Sequence, residues 1–272
     1  YVAAGLSVAL VLLLVGLRPF IGRVGLQPAV VPHAVPFFTA LIWGVPAFLG
    51  FVCLRRYLQG LGHVRPILWA LVSANLLNVV VDYTLIFGHF GFPRLGAMGA
   101  GYATSFARTY LFLFLLVAIL RVERRAGRHG NAEERRFDPA LVRRIILVGL
   151  PAAAMVVFEV GVFAVATQLI GRIDAVSLAA HQVALTLASV TFMVPLGISA
   201  AGGVRVGQAV GRGDAQGVAN AGWTAFLLGA GFMCLSGTLF AVAGRWLTGL
   251  FSPDPAVIVM GATLLQVAAM FQ

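Results

Sequence analysis

Eight stretches of this chain are each long and apolar enough to cross a lipid bilayer, and no other feature limits its fold so tightly. A spanning helix needs about 20 mainly apolar residues. Such runs extend up to Leu17, then over 31–54, 66–88, 98–120, 141–170, 176–202, 218–244 and from 256 onward. The connections are short and rich in Gly, Pro and Arg. Inside hydrocarbon every backbone N–H and C=O must be satisfied within the segment, so successive runs of this kind are expected to be helices. The expected fold class is an all-α polytopic membrane protein. Its composition, 60% hydrophobic and 10% charged, departs from the about 25% charged residues of a soluble domain.

The net charge of +10 would suggest nucleic acid in a soluble protein. Here the basic residues sit between apolar runs and act as topology signals, so no nucleic-acid partner is expected. All 19 are arginines. The lack of lysine excludes a Walker A phosphate loop and a Schiff-base lysine within the chain. Arg55, Arg56, Arg65, Arg121, Arg124, Arg125, Arg128, Arg135, Arg136, Arg143, Arg144, Arg205 and Arg212 fall on one side of the membrane. Arg18, Arg23, Arg94, Arg172 and Arg245 fall on the other, and Arg108 lies within a span. The richer side is expected to be cytoplasmic. Cys53 and Cys234 lie far apart in apolar segments, with no metal or redox spacing.

The polar stretch Arg121–Asp138, with Glu123, Glu133 and Glu134 among its arginines, divides the spans into two sets of four. The expected organisation is four helices in 1–120, a cytoplasmic linker over 121–138, and four helices in 139–272. Pro28-Ala29-Val30-Val31 and Pro255-Ala256-Val257-Ile258 open the second and eighth spans from the same side. This weak repeat hints at two parallel-oriented halves, a frequent transporter plan. Tyr1 and Gln272 fall inside apolar runs, so a fragment cut within a membrane helix at both ends is expected.

One acid stands out. Glu159 lies near the middle of the 141–170 run, with no cation within a turn on either side. An acid at that depth costs about 2–3 kcal/mol on insertion scales, and it normally faces a bundle interior or a water-filled cavity. The plainer reading is a carboxyl group that only glues helices together. In the third span, Asn75, Asn78 and Asp82 are three and four residues apart and share one helix face. That stripe suits a cavity lining or cation-supporting face, or interhelical hydrogen bonds worth about 0.6 kcal/mol each. The segment Gly96–Ser105 carries small residues on successive turns, which favours close helix packing. Arg108, a turn later, either snorkels outward or pairs with a carboxylate such as Asp82. In the sixth span His181 is a candidate proton relay or interfacial hydrogen-bonding group, and Gln182 follows it. Phe192 and Met193, just before Pro195, offer a soft apolar surface or ordinary core packing.

Taken in order, these residues resemble the multidrug and toxic compound extrusion (MATE) transporters, and among them the NorM-like bacterial branch. The resemblance is carried by Arg56-Tyr57-Leu58-Gln59-Gly60 with Arg65-Pro66, Asn75 to Gly88, Gly96 to Thr104, Gly149-Leu150-Pro151 with Phe158-Glu159, Leu178 to Gln182, and Phe192 to Gly207. It implies two helical bundles, or lobes, around a central cavity, with this chain covering the third to tenth of twelve helices and incomplete at both ends. It also implies export of organic, often cationic drugs in exchange for Na+ or H+ by alternating access. Glu159 matches the cation-site glutamate of the seventh helix, with an acidic partner expected just after Phe271-Gln272. Phe158, Phe192 and Met193 become candidate drug contacts, and Asn75, Asn78, Asp82, His181 and Gln182 candidate cavity or cation-supporting groups. A carboxylate that trades a proton for a cation would suit H+ coupling, and a site with carbonyl oxygens beside it would suit Na+. No cofactor and no resident metal are expected. The expected partners are small organic cations and the lipid bilayer, the expected state a monomer, and the expected location the bacterial inner membrane.

Two other readings compete. A lipid-linked oligosaccharide flippase of the same wider superfamily tends to need a basic cavity for pyrophosphate, whereas the spans hold only Arg108 against Asp82 and Glu159. A membrane enzyme would need a catalytic cluster near one membrane face. His33, His63, His89, His129 and His181 fall on scattered segments instead.

Overall fold

A computed structural model describes residues 2–23, 31–125 and 138–271. Helix α1 (Val2–Leu17) leads into a 3-10 segment, Arg18–Arg23. Then come α2 (Val31–Trp43), α3 (Val45–Gly60), α4 (Arg65–Phe87) and α5 (Ala97–Arg125). After these follow α6 (Pro139–Ile170), α7 (Ala175–Gly211), α8 (Ala215–Gly249) and α9 (Pro255–Ala269). Six segments are long and apolar enough to span a bilayer singly; α2 and α3, bent by 46°, together make a seventh, and α9 is a shorter apolar helix. The chain is a multi-pass membrane protein, and the order of its helices matches the expected runs.

Three departures have local causes. The second span is broken: Pro46, in the first turn of α3, has no N–H to donate back into α2, and Gly44 forms the joint. Helices α7 and α8 run well past the expected ends. At 37 and 35 residues each is about 50–55 Å long, beyond the roughly 30 Å hydrocarbon core. Helix α5 continues through Arg125, so the first residues of the expected linker are helical. Residues 126–137, the rest of that linker, lie outside the described residues, as do Pro28, Ala29 and Val30 of the repeat.

The chain forms two compact units, Tyr1–Val142 and Arg143–Gln272. In the first, α5 packs against α2, α3 and α4. Phe51, Leu58, Ile67, Ala70, Leu115 and Ile119 form the core where α3, α4 and α5 meet. Lipid tails are as apolar as leucine, so helices in a membrane gain mainly from close contact rather than from leaving water. The small residues of α5 provide that contact. A Cβ on Gly99 would come within 2.6 Å of the Leu85 carbonyl oxygen on α4, and one on Gly101 within 2.8 Å of the Ala40 Cβ on α2. Ser105 Oγ donates to the Ala40 carbonyl at 2.6 Å. The packing role expected of this segment is what the structure shows.

In the second unit, α7, α8 and α9 pack together around Ala184, Phe240, Leu247 and Leu265. Thr248 is fully buried and its hydroxyl lies within 2.9 Å of the Gly244 carbonyl and 3.2 Å of the Ile258 carbonyl, tying α8 to α9. Four aspartates start helices α6 to α9. Asp138, Asp174, Asp214 and Asp254 accept backbone N–H bonds from Ala140 (2.8 Å), Ser177 (2.7 Å), Gly217 (2.8 Å) and Ala256 (2.9 Å). Each satisfies donors that the first turn leaves orphaned. Ser177 Oγ also donates to Asp174 at 2.7 Å. These bonds, the Ser177 N–H first, hold the exposed Asp174 carboxyl below the usual carboxylate range.

Candidate functional site

The aspartate caps narrow the search for functional acids. Glu123, the other acid described outside the spans, accepts a bond from Tyr57 Oη at 3.1 Å, and Glu133 and Glu134 lie outside the described residues. Glu159 and Asp82 remain as the two acids within spans.

Glu159 sits on α6, which has no buried residue along its described length. The described residues do not enclose its carboxylate: Glu159 is exposed, and its neighbour Phe158 is 74% exposed. Among the described residues no ion pair or hydrogen bond engages its carboxylate. The reason is the packing of the unit, in which α7, α8 and α9 cluster and α6 does not join them. Pro151, inside α6, further loosens the helix by removing one backbone bond.

One side-chain contact ties α6 to α7. Thr167 Oγ lies 3.2 Å from His181 Nε2. The hydroxyl proton already goes to the Phe163 carbonyl at 2.8 Å, which leaves the hydroxyl oxygen to accept from an Nε2–H of the imidazole. Glu159 on α6 and Ser189 on α7 each lie eight residues along their helix from this contact, about 12 Å of helical rise.

Around Ser189, α7 carries an open stripe. Gln182, Leu185, Thr186, Ser189, Val190 and Met193 line a shallow groove of about 290 Å³. They recur at helical spacing, so they form one face. Thr186 and Ser189 donate to the carbonyls of Gln182 and Leu185, both at 2.7 Å, which leaves their oxygens free to accept. Two expected residues, Gln182 and Met193, thus fall on one surface. Phe192 lies beside it, 44% exposed, and His181 is half-buried at its hairpin end. Thr186 and Ser189 were missed in the sequence, although their spacing of four and seven residues from Gln182 was legible.

In the other unit Asn75, Asn78 and Asp82 differ in surroundings. Asn75 is exposed and donates to the Leu71 carbonyl of its own helix at 2.8 Å. Asn78 Nδ2 is buried without a partner among the described residues, and Asp82, one turn on, is half-buried. A buried donor left unmade costs about 1–3 kcal/mol, so it is a place where a water or cargo oxygen gains. Arg108 does not pair with Asp82, contrary to one expectation. Its guanidinium lies 5.1 Å from the centre of the Phe48 ring, because Ser105 and Arg108 both press against the Gly44 joint. Among the described residues no three His, Cys, Asp or Glu side chains come together as a metal-holding group.

The family model described as MatE matches residues 1–84 and 151–272. The chain belongs to the MatE family. It is 38% identical over 256 residues to the probable multidrug resistance protein NorM of Brucella suis biovar 1 (strain 1330), a match that covers 91% of this chain and 54% of that protein. It is 33% identical over 258 residues to the multidrug resistance protein PmpM of Pseudomonas aeruginosa, covering 94% of this chain and 54% of that one. This MatE chain therefore spans about half the length of the curated relatives it matches. Its fold is that of a solved MATE in the bent conformation, with a TM-score of 0.81 at 20% identity over 98% of this chain and 59% of that one. A eukaryotic MATE transporter, AtDTX14, aligns with a TM-score of 0.79 at 20% identity, covering 97% of this chain and 58% of that one.

Proposed function

We propose that this MatE chain works in multidrug efflux, as part of a secondary antiporter that exports small organic cations in exchange for Na+ or H+ by alternating access. The observation that carries the reading is Glu159: a carboxylate at mid-span, free of any protein partner among the described residues, on the helix that leads by a short turn into the mixed polar and apolar stripe of α7. An organic cation needs both parts, a charge to neutralise its own and an adaptable apolar surface for its body. Ionised, Glu159 attracts a cation; neutralised by a proton or Na+, it releases one. Drug and coupling ion therefore compete for one charge, which couples their fluxes. Gln182, Ser189 and Met193 hold and orient the cargo, with Phe158 and Phe192 as flanking apolar contacts. His181 orients the hairpin end of the stripe. Asn75, Asn78 and Asp82 support cation binding in the other unit.

The protein is read as a transporter rather than an enzyme, with no cofactor beyond the coupling ion, acting as a monomer in a bacterial inner membrane. The names of its relatives weigh against a flippase. Ethidium efflux from a pump-deficient strain tests this, comparing wild type with Glu159→Gln at matched membrane abundance, with and without a Na+ gradient. Loss of gradient-driven efflux in the variant is expected. Equal pumping by the variant would make Glu159 structural and sink the assignment.

A further inference from the structure

The groove between α7 and α8 at their arginine-rich ends has no part in the reading above. We infer that it binds one anionic phospholipid from the leaflet on that side, with the phosphate at the arginines and an acyl chain on the apolar floor. The groove holds about 460 Å³. It runs roughly 20 Å along α7, from Arg212 at the turn to Ile198 deeper in the span. Its polar groups collect at one end: Arg205 on α7 and Arg212 at its C-terminal cap, Asn220 and Thr224 on α8. Its deep end is apolar, between Ile198 and Leu228. That gradient, charge at the turn and hydrocarbon below, has the polarity of a lipid molecule.

Charge and depth both support this occupant. Arg205 and Arg212 are seven residues apart, on one face of α7, and both are exposed. Among the described residues neither guanidinium has an ion-pair or hydrogen-bond partner. Asp214, the nearest acid along the chain, caps α8 by accepting from the Gly217 N–H at 2.8 Å and forms no ion pair with either arginine among the described residues. A guanidinium fork matches phosphate oxygens in pairs. Beside Thr224, Trp223 is 64% exposed, with its ring edge-on to Phe226 at 5.8 Å. An exposed tryptophan marks the level where headgroups meet acyl chains. The floor is shallow because the helices nearly touch there: a Cβ on Gly202 would come within 2.6 Å of the Ala225 Cβ. A chain can lie along it, but a third helix cannot enter. Basic pockets between membrane helices on the cytoplasmic side are a known type of anionic-headgroup site. A zwitterionic lipid brings its own cation back to the arginines, and free phosphate makes no use of the apolar floor.

Native mass spectrometry of the purified protein, stripped of lipid in detergent, tests the inference. Phosphatidylglycerol, phosphatidylcholine and inorganic phosphate are titrated in turn. One phosphatidylglycerol should be retained in preference to phosphatidylcholine, and millimolar phosphate should not displace it. The double variant Arg205→Gln/Arg212→Gln should lose that preference by about tenfold or more. Ala221→Trp, which fills the groove and keeps both charges, should lose it as well, and it carries the test if the double variant does not fold. Arg55→Gln/Arg56→Gln, an arginine pair in the other unit, should leave it unchanged. Equal retention of the two lipids overturns the site. So does a preference that survives Ala221→Trp, one that falls as far in the Arg55/Arg56 variant (a diffuse surface potential), or one that phosphate abolishes.

Discussion

Helices α5 and α6 are alike in chemistry and opposite in surroundings. Both are apolar, with 29 and 32 residues, and both carry small residues. Helix α5 buries Gly99, Gly101, Ala103, Ser105 and Ala107 along with Leu115 and Ile119, whereas α6 buries nothing. Yet α6 has its own run of small residues, Ala152, Ala153, Ala154 and Gly161. Small residues permit close approach but do not produce it; a neighbour with a matching surface must be there. On α5 that neighbour is the backbone of α4 at Leu85 and of α2 at Phe37 and Ala40. The helix that the described residues leave unpacked carries the mid-span acid.

The sharpest way to break this contrast is functional. Glu159→Gln should reduce gradient-driven efflux to the background without changing the melting temperature, because no described contact depends on the carboxylate. A variant that still pumps, or one that melts early, would make α6 a packed helix like α5. Next comes packing itself. Gly99→Ala should destabilise by about 1–3 kcal/mol, since the new methyl meets backbone that cannot turn aside. Gly161→Ala, with open space around it, should be neutral or stabilising by up to about 1 kcal/mol. Denaturant titration of the two variants in one detergent decides the point, and equal losses would mean that α6 is packed.

Thr248→Val gives a smaller effect within the second unit. It keeps the shape of a buried side chain and removes its tie to the Gly244 and Ile258 carbonyls, so a loss of about 0.6–1 kcal/mol is expected. Thermal melting should show it while efflux is retained. The smallest effect concerns pH at the start of α7. Asp174 is held below the ordinary carboxylate range by the Ser177 N–H and hydroxyl. Its contribution is therefore complete above that range and is lost as pH falls through the depressed value. Amide exchange at Ser177 should accelerate on acidification in wild type. Asp174→Ser caps without titrating, and should remove that acid dependence.

Much of this was legible in the chain. The apolar runs placed the spans, because hydrocarbon leaves the backbone no alternative to a helix. Glu159 was legible as a charge that nothing nearby in sequence neutralises. The caps carried readable signals that were passed over: Asp-Pro at 138–139 and 254–255, and an acid three residues before Ser177 and Gly217. Pro46 likewise announced the break at Gly44. The overshoot of α7 and α8 was not legible, since helices that leave the hydrocarbon stay helical without an apolar signature. Nor was the pairing of Arg108 with Phe48, which lie far apart in sequence and meet only because Gly44 lets α2 and α3 fold against α5.

By itself the sequence determined that apolar helices follow one another along the chain, in what order, and where the lone mid-span carboxylate lies. Only the tertiary structure decided which apolar faces find protein. It packs α5 on three sides, leaves α6 bare, and aligns Gln182, Ser189 and Met193 on an open stripe of α7. The physical reason is that lipid and a protein interior are equally apolar. Hydropathy finds a span but cannot say what it touches; that depends on the close fit of particular surfaces, which exists only once the helices have met.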